Sequence, residues 1–208
     1  MSSLSFCYAI LCGGRSVRMG QDKALLSANG TPIIERIVND INHMPNLCEN
    51  LFICSGKKMY AQLSNHKVDY LDDYLADYQG PLSGLAAALQ KISTNQSLNY
   101  QWVFSFPCDT LLLPSQTFNL LKDAIEQSPS CDMVYLRGDR DHPLHAAYRV
   151  EVAEQLFAYL NQDQRAVMPF IKQLNCQTVE IPKAWQDYLN FNTVEGFEKA
   201  LQAYQYDR

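Results

Sequence analysis

The sequence predicts an α/β protein, a three-layer α/β/α sandwich built on a mostly parallel sheet. Short apolar runs alternate with amphipathic segments along the chain, the pattern of βαβ units that cover both faces of a sheet. The length of 208 residues suits one domain. At 47% hydrophobic and 19% charged, the chain can bury a substantial core. No internal repeat, low-complexity tract or linker divides it, so residues 1–208 read as a single domain.

Residues 6–11 read as a buried strand, followed by a loop containing Gly13, Gly14 and Gly20. Thr31 reads as a helix N-cap with Pro32 at the first helical position, where a missing N–H does no harm. Ile33, Ile34, Ile37, Val38 and Ile41 then form an apolar stripe of period 3.6. Residues 50–54 and 68–71 are the next strands, and the Leu- and Ala-rich stretch 81–92 is helical. Residues 102–106 form a strongly apolar strand that stops at Pro107. Residues 115–127 are helical, with Phe118, Leu121 and Ile125 on one face. Residues 131–136 and 144–148 read as strands around a polar loop, 152–160 and 167–174 as helices, and 178–181 as a strand. Residues 193–204 close the chain as a helix with Val194, Phe197, Leu201 and Tyr204 inward. Ligands of such sheets lie beyond the carboxyl ends of the strands. The loops after Leu11, Cys54, Leu71 and Phe106 are therefore where a site is expected.

A net charge of -5 argues against a nucleic-acid or anionic-membrane binder, which needs clustered Lys and Arg. The apolar run at the N-terminus is too short to span a bilayer, and no positive charge precedes it as in a signal peptide. Seven cysteines without a C-x-x-C pair make a poor disulfide framework and a poor zinc site. The expected compartment is a reducing cytoplasm.

The segment from Leu11 to Lys23 reads L-C-G-G-R-S-V-R-M-G-Q-D-K. Gly13 and Gly14 directly follow a strand, where absent side chains let backbone N–H groups approach an anion. Arg15, Arg18 and Lys23 add three cations against one carboxylate, Asp22. Such a loop can cradle a triphosphate and neutralise charge on a leaving pyrophosphate. It has neither Walker A spacing nor the Rossmann G-x-G-x-x-G. Two glycines after a strand also occur in ordinary surface turns, so the continuation through Lys23 carries the reading.

Asp109 lies just past the strand 102–106, where a carboxylate can point into the crevice and hold Mg²⁺. An Asp there can equally cap the following turn, and the residues alone leave both open. Asp72 and Asp73 sit in a loop that leads to a helix starting at Pro81, whose N-terminal N–H groups suit an anion.

The glycine-loop string resembles the signature L-A-G-G-x-S-x-R-M-G-x-D-K of nucleotidyltransferases with the GT-A, Rossmann-like fold, with Cys12 in place of Ala. The later elements are similar to those of the molybdenum cofactor guanylyltransferases. Asp73 lies in a segment like their D-x-x-x-D-Y-x-G-P-L, and Phe106-Pro107-Cys108-Asp109-Thr110 resembles their C-P-C-D-T. Arg140-Asp141-His142-Pro143 matches R-D-H-P, and Asn190-Phe191-Asn192-Thr193 matches N-x-N-T. The resemblance covers nearly the whole chain. It implies a nucleotidyltransferase that uses Mg²⁺ and joins GTP to Mg-molybdopterin, releasing pyrophosphate. It also implies transient contact with molybdoenzymes or their chaperones, and no nucleic-acid or membrane partner.

Carried over by residue, the resemblance implies that Leu11, Cys12, Gly13, Gly14, Arg18, Lys23, Asp73 and Asp109 bind GTP. Asp109 would also hold Mg²⁺, and Lys23 with Asp109 would be catalytic. Where the family often has an Asn after its second strand, this chain has Cys54-Ser55-Gly56, so Ser55 supplies one hydrogen bond at most there. Arg140, His142, Arg165, Asn190 and Asn192 would face molybdopterin. On the residues alone, His142 reads as a polar loop residue and Arg165 as an exposed helix start. The expected division places the nucleotide on residues 1–110 and the pterin on residues 111–208. Two alternatives stay open: transfer to another phosphorylated acceptor, or a noncatalytic nucleotide-binding partner in molybdoenzyme maturation.

Overall fold

The structure, a computed structural model, describes residues 4–13, 20, 22–45, 50–77, 79–95 and 97–206. In its first half, strand β1 (Phe6–Leu11) is followed by a two-stranded hairpin, β2 (Ser27–Ala28) and β3 (Thr31–Pro32), and helix α1 (Ile33–His43). Strands β4 (Leu51–Cys54) and β5 (Asp69–Leu71), helix α2 (Pro81–Thr94) and strand β6 (Trp102–Pro107) come next. The second half runs through α3 (Pro114–Gln127), β7 (Met133–Arg137) and β8 (Asp141–Arg149) to α4 (Ala153–Asn161) and α5 (Val167–Ile171). It ends with β9 (Cys176–Glu180) and α6 (Val194–Tyr206).

The main sheet has the order β5-β4-β1-β6-β8-β7-β9. β1 runs parallel to both β4 and β6, and β5 runs parallel to β4. β8 pairs antiparallel with β6 and with β7, while β9 pairs parallel with β7. The sheet is thus mostly parallel, as the alternation of elements predicts, with β8 reversed.

The period-two alternation of β1 feeds two cores. Phe6, Tyr8 and Ile10 point to one face and pack with Ile34, Ile37, Phe118 and Phe197 from α1, α3 and α6. Cys7, Ala9 and Leu11 point to the other and pack with Leu85, Leu89, Leu156 and Phe170 from α2, α4 and α5. The first core is rich in rings: Phe6 lies 5.2 Å from Phe104 and 5.0 Å from Phe118 between centroids. Helices on both faces explain why every residue of β1 and β6 is buried.

Several boundaries differ from the sequence expectation. Thr31 does not cap α1; it pairs with Ala28 across a turn in which Asn29 and Gly30 both have positive φ, 53° and 82°. Asn-Gly is the dipeptide that a two-residue hairpin turn favours. Pro32 consequently takes the cap position rather than the first helical one, with no side-chain bond. The segment expected as a polar loop before residue 144 is the start of β8, which pairs Asp141 and His142 with Arg137 and Leu136. α5 ends at Ile171, and a short 3₁₀ segment, Lys183–Tyr188, precedes α6.

Candidate active site

The carboxyl ends of β1, β4 and β6 are tied together. Cys12 N donates to Cys54 O at 3.0 Å, and Cys108 N donates to Leu11 O at 3.3 Å. These bonds set Gly13 and Asp109, one residue farther on, side by side at the strand ends. Cys12 and Cys108 approach to 3.0 Å between sulfurs, and the six described cysteines are all free thiols. Gly14 and Arg18 lie outside the described residues.

A cavity of about 940 Å³ opens here, with Gly13, Ser55, Gly56, Lys58, Asp73 and Tyr74 among its walls. Two glycines shape the bed of the Asp73 carboxylate. A Cβ on Gly56, whose φ is +62°, would come within 3.3 Å of Asp73 Oδ2. A Cβ on Gly84, in the first turns of α2, would press on Cys54 Cβ at 3.1 Å and approach Asp73 Oδ1 at 3.8 Å. Burial, and secondarily Asp72, raises the Asp73 carboxyl above its ordinary value. Ser55 donates its hydroxyl to Lys58 O at 2.6 Å. At the position where the family often has Asn, this chain therefore offers a ligand an acceptor oxygen and no donor from that side chain. Gly56 and Gly84 were not singled out from the sequence. The available signals were the Ser-Gly pair after a strand and a Gly inside a helical pattern.

Lys23 stands at the centre. Its Nζ lies 3.3 Å from Asp109 Oδ2 and 2.7 Å from Asn192 Oδ1. The C-terminal segment reaches the site through backbone bonds: Phe191 N donates to Asp109 O at 2.9 Å, and Leu111 N donates to Tyr188 O at 2.9 Å. Asn192 donates its amide to Asn190 Oδ1 at 2.8 Å, which also accepts from Arg140 at 3.2 Å. Asp109, Lys23, Asn192, Asn190 and Arg140 thus form one continuous polar chain across the crevice. Sequence reasoning did not find the contact of Asn192 with Lys23, because 169 residues separate them.

Burial raises the Asp109 carboxyl, and the charge and hydrogen bond of Lys23, followed by Asn190, offset part of that rise. Its Oδ1 is buried without a partner among the described residues. A buried, under-satisfied carboxylate oxygen beside neutral carboxamides fits a hard cation that takes one or two carboxylates together with phosphate and water oxygens. Among the described residues no three His, Cys, Asp or Glu converge on a metal position. The set suits a divalent cation that completes its shell with oxygens from outside the protein.

Arg165 is not part of the polar chain. It donates to Gln79 at 2.6 Å, to Leu160 O at 2.7 Å and to Gln164 O at 2.8 Å, and pairs with Asp163. It therefore fastens the turn after α4 to the loop preceding α2.

His142 is buried on β8 rather than exposed in a loop. Burial, with Arg140 nearby, pushes it down to about 4. His145 is packed edge-on against Phe106 at 4.8 Å, and its ring nitrogens have no partner among the described residues. The Leu189 backbone lies close to it outside hydrogen-bonding geometry. Burial, then His142, pushes His145 down to about 3. Both rings are neutral at pH 7. Because these pKa values are depressed by folding, the unfolded chain takes up the protons first. Their contribution to stability is complete above about pH 6.5 and declines as the pH falls toward 3. Between pH 6.5 and 4.5, His145 alone should cost the wild type about 2 to 3 kcal/mol. His145→Leu is expected to flatten the slope of urea-unfolding free energy over that range. An unchanged slope would show that this ring is not a neutral buried group.

Comparison with known proteins identifies the family. Residues 8–179 match the family described as the MobA-like NTP transferase domain. A molybdenum cofactor guanylyltransferase from Histophilus somni is 29% identical over 196 residues, spanning 94% of this chain and 95% of that protein. The protein of the same name from Yersinia pestis is 30% identical over 186 residues, spanning 88% and 89%. Among solved structures, molybdopterin-guanine dinucleotide biosynthesis protein A from Archaeoglobus fulgidus superposes with a TM-score of 0.73 at 20% identity. That superposition covers 96% of this chain and 99% of that one, and it shows the shared fold. A family match that spans most of the chain places this protein in the MobA-like NTP transferase family as a nucleotidyltransferase.

Proposed function

We propose that the enzyme transfers GMP from GTP to Mg-molybdopterin, forming molybdopterin guanine dinucleotide and pyrophosphate in the cytoplasm. The observation that carries this reading is the position of Lys23, held at once by Asp109 and by Asn192. One ammonium there can face the phosphates of a nucleotide and those of an acceptor. The names of the relatives from Histophilus somni and Yersinia pestis support the choice of substrates. Among the described residues no helix is long and apolar enough to cross a membrane.

The attacking group would be the terminal phosphate of molybdopterin, and the electrophile the α-phosphorus of GTP. A phosphate nucleophile is already anionic, so catalysis rests on positioning and charge neutralisation rather than on a general base. Asp109, with Asn190 and Asn192 beside it, would hold Mg²⁺. The bound cation would neutralise phosphate charge. Lys23, with Arg18, would stabilise the pyrophosphate as it leaves. The backbone around Cys12, Gly13 and Gly14 would cradle the phosphates, while Asp73 and Ser55 line the nucleotide pocket. Pyrophosphate release measured with each of the four NTPs, with and without molybdopterin, tests the reading. Release that requires both GTP and molybdopterin supports it. Release with another acceptor points to a different nucleotidyltransferase, and nucleotide binding without release points to a noncatalytic module.

The whole chain acts as one domain in this reading, with nucleotide on loops before residue 110 and pterin on loops after 138. Arg140 and His142 lie on the pterin side. Asn192 spans the two, since it accepts from Lys23. Arg140→Ala should therefore weaken molybdopterin binding and leave Mg-GTP affinity nearly unchanged, whereas Asn192→Ala should weaken both. Separate calorimetric titrations read the difference, and equal loss of GTP affinity in both variants would erase the division.

A further inference from the structure

A carboxylate in a phosphate-binding loop is an electrostatic liability, yet Asp22 directly precedes Lys23. Its side chain is only 16% exposed and accepts three hydrogen bonds. Oδ1 accepts from Ala24 N at 3.1 Å, and Oδ2 accepts from Lys58 Nζ at 2.9 Å and from Tyr60 Oη at 3.2 Å.

The first bond caps the turn Lys23–Leu25, which also holds Leu25 N to Asp22 O at 3.0 Å and Leu26 N to Lys23 O at 3.2 Å. Lys23 has a long, flexible side chain, and fixing its backbone narrows the positions its Nζ samples toward the one that meets Asp109 and Asn192 together. The other two bonds reach across to the loop after β4. Lys58 lines the cavity with Gly13, Ser55 and Asp73, and its carbonyl accepts the Ser55 hydroxyl. Tyr60 is buried, and its backbone is clamped by Tyr70, whose hydroxyl accepts from Tyr60 N at 3.0 Å and donates to Tyr60 O at 3.2 Å. Burial holds the Tyr60 hydroxyl well above its ordinary pKa, so it stays a donor to Asp22. The Lys58 ammonium also cancels the charge that Asp22 would otherwise turn toward a nucleotide.

We infer that Asp22 is a positioning residue of the transfer site, setting Lys23 through the turn cap and fastening the Ser55–Lys58 wall through the ion pair. What it positions rests on the nucleotidyl-transfer reading above; the tie itself does not. Two substitutions separate its roles. Asp22→Asn keeps an acceptor for Ala24 N and loses the partner of Lys58, whereas Asp22→Ala loses both.

The experiment measures kcat and KM for Mg-GTP by pyrophosphate release with molybdopterin. It also measures acetic anhydride labelling of each lysine in ligand-free protein by mass spectrometry. Asp22→Ala should lower kcat about tenfold through loss of the cap. Asp22→Asn should restore kcat to within about twofold of wild type while KM rises about threefold, the scale of a half-exposed ion pair. Lys58→Met should raise KM alike, and adding it to Asp22→Asn should change nothing further. Lys58 should be labelled about threefold faster in both Asp22 variants, and Lys23 faster only in Asp22→Ala. A merely structural role would lower kcat and thermal stability in both Asp22 variants and leave KM in place. Wild-type kcat in Asp22→Ala, failure of Asn to restore it, or unchanged Lys58 labelling would each overturn the inference. Absence of pyrophosphate release in the wild type would instead sink the transfer reading, and the labelling would still decide the role of Asp22.

Discussion

Asp109→Ala is expected to abolish Mg²⁺-dependent pyrophosphate release while leaving the fold intact. Asp109 lies two residues past the end of β6, and its Oδ1 is buried without a partner among the described residues. Loss of one such charge-stabilising contact typically lowers a rate by about 10² to 10³. Here the same change removes the carboxylate nearest Lys23, so the loss should reach the upper end. The fold should not suffer. Burial raises the Asp109 carboxyl, which means the native environment disfavours its ionised form, and removing it relieves that penalty at neutral pH. Thermal unfolding should therefore begin no lower than in wild type. Turnover equal to wild type at saturating Mg²⁺ would eliminate the metal role, and a large fall in melting temperature would mark Asp109 as structural.

Lys23→Ala is expected to lower kcat more than a hundredfold, about 3 to 4 kcal/mol of transition-state stabilisation. Its ammonium is the described cation that bonds both the candidate metal ligand Asp109 and Asn192. Removing it leaves Asp109 Oδ2 and Asn192 Oδ1 without this donor and takes positive charge from where pyrophosphate would leave. The ground-state ion pair with Asp109 is partly exposed at both ends, so stability should change little. The contrast with Asp22→Ala, expected to lose only about tenfold, is the sharper measurement. Equal losses in the two variants would mean that the turn, and not the ammonium, carries the effect.

Much of this protein was determined by the sequence itself. The unbroken apolar run Phe6–Leu11 required a strand covered on both faces, and the stripe from Ile33 to Ile41 required a helix facing the core. The glycines after Leu11 and the carboxylates after Leu71 and Phe106 lay in local patterns, each read from a strand and the residues just beyond its end. Even the Asn29-Gly30 hairpin was legible, although the stronger-looking Thr31-Pro32 cap concealed it. Tertiary structure decided what no local pattern encodes. β8 inserts antiparallel between β6 and β7, and so turns an expected polar loop into a buried strand carrying His142. Gly56 and Gly84 acquire their purpose only when Asp73 is folded against them. Asn190 and Asn192 join Lys23 and Asp109 because backbone bonds at Asp109 and Leu111 draw the segment before α6 over the strand ends. Periodicity and capping act over a few residues along the chain, whereas a hydrogen bond between Lys23 and Asn192 exists only once the sheet has brought distant segments within 2.7 Å.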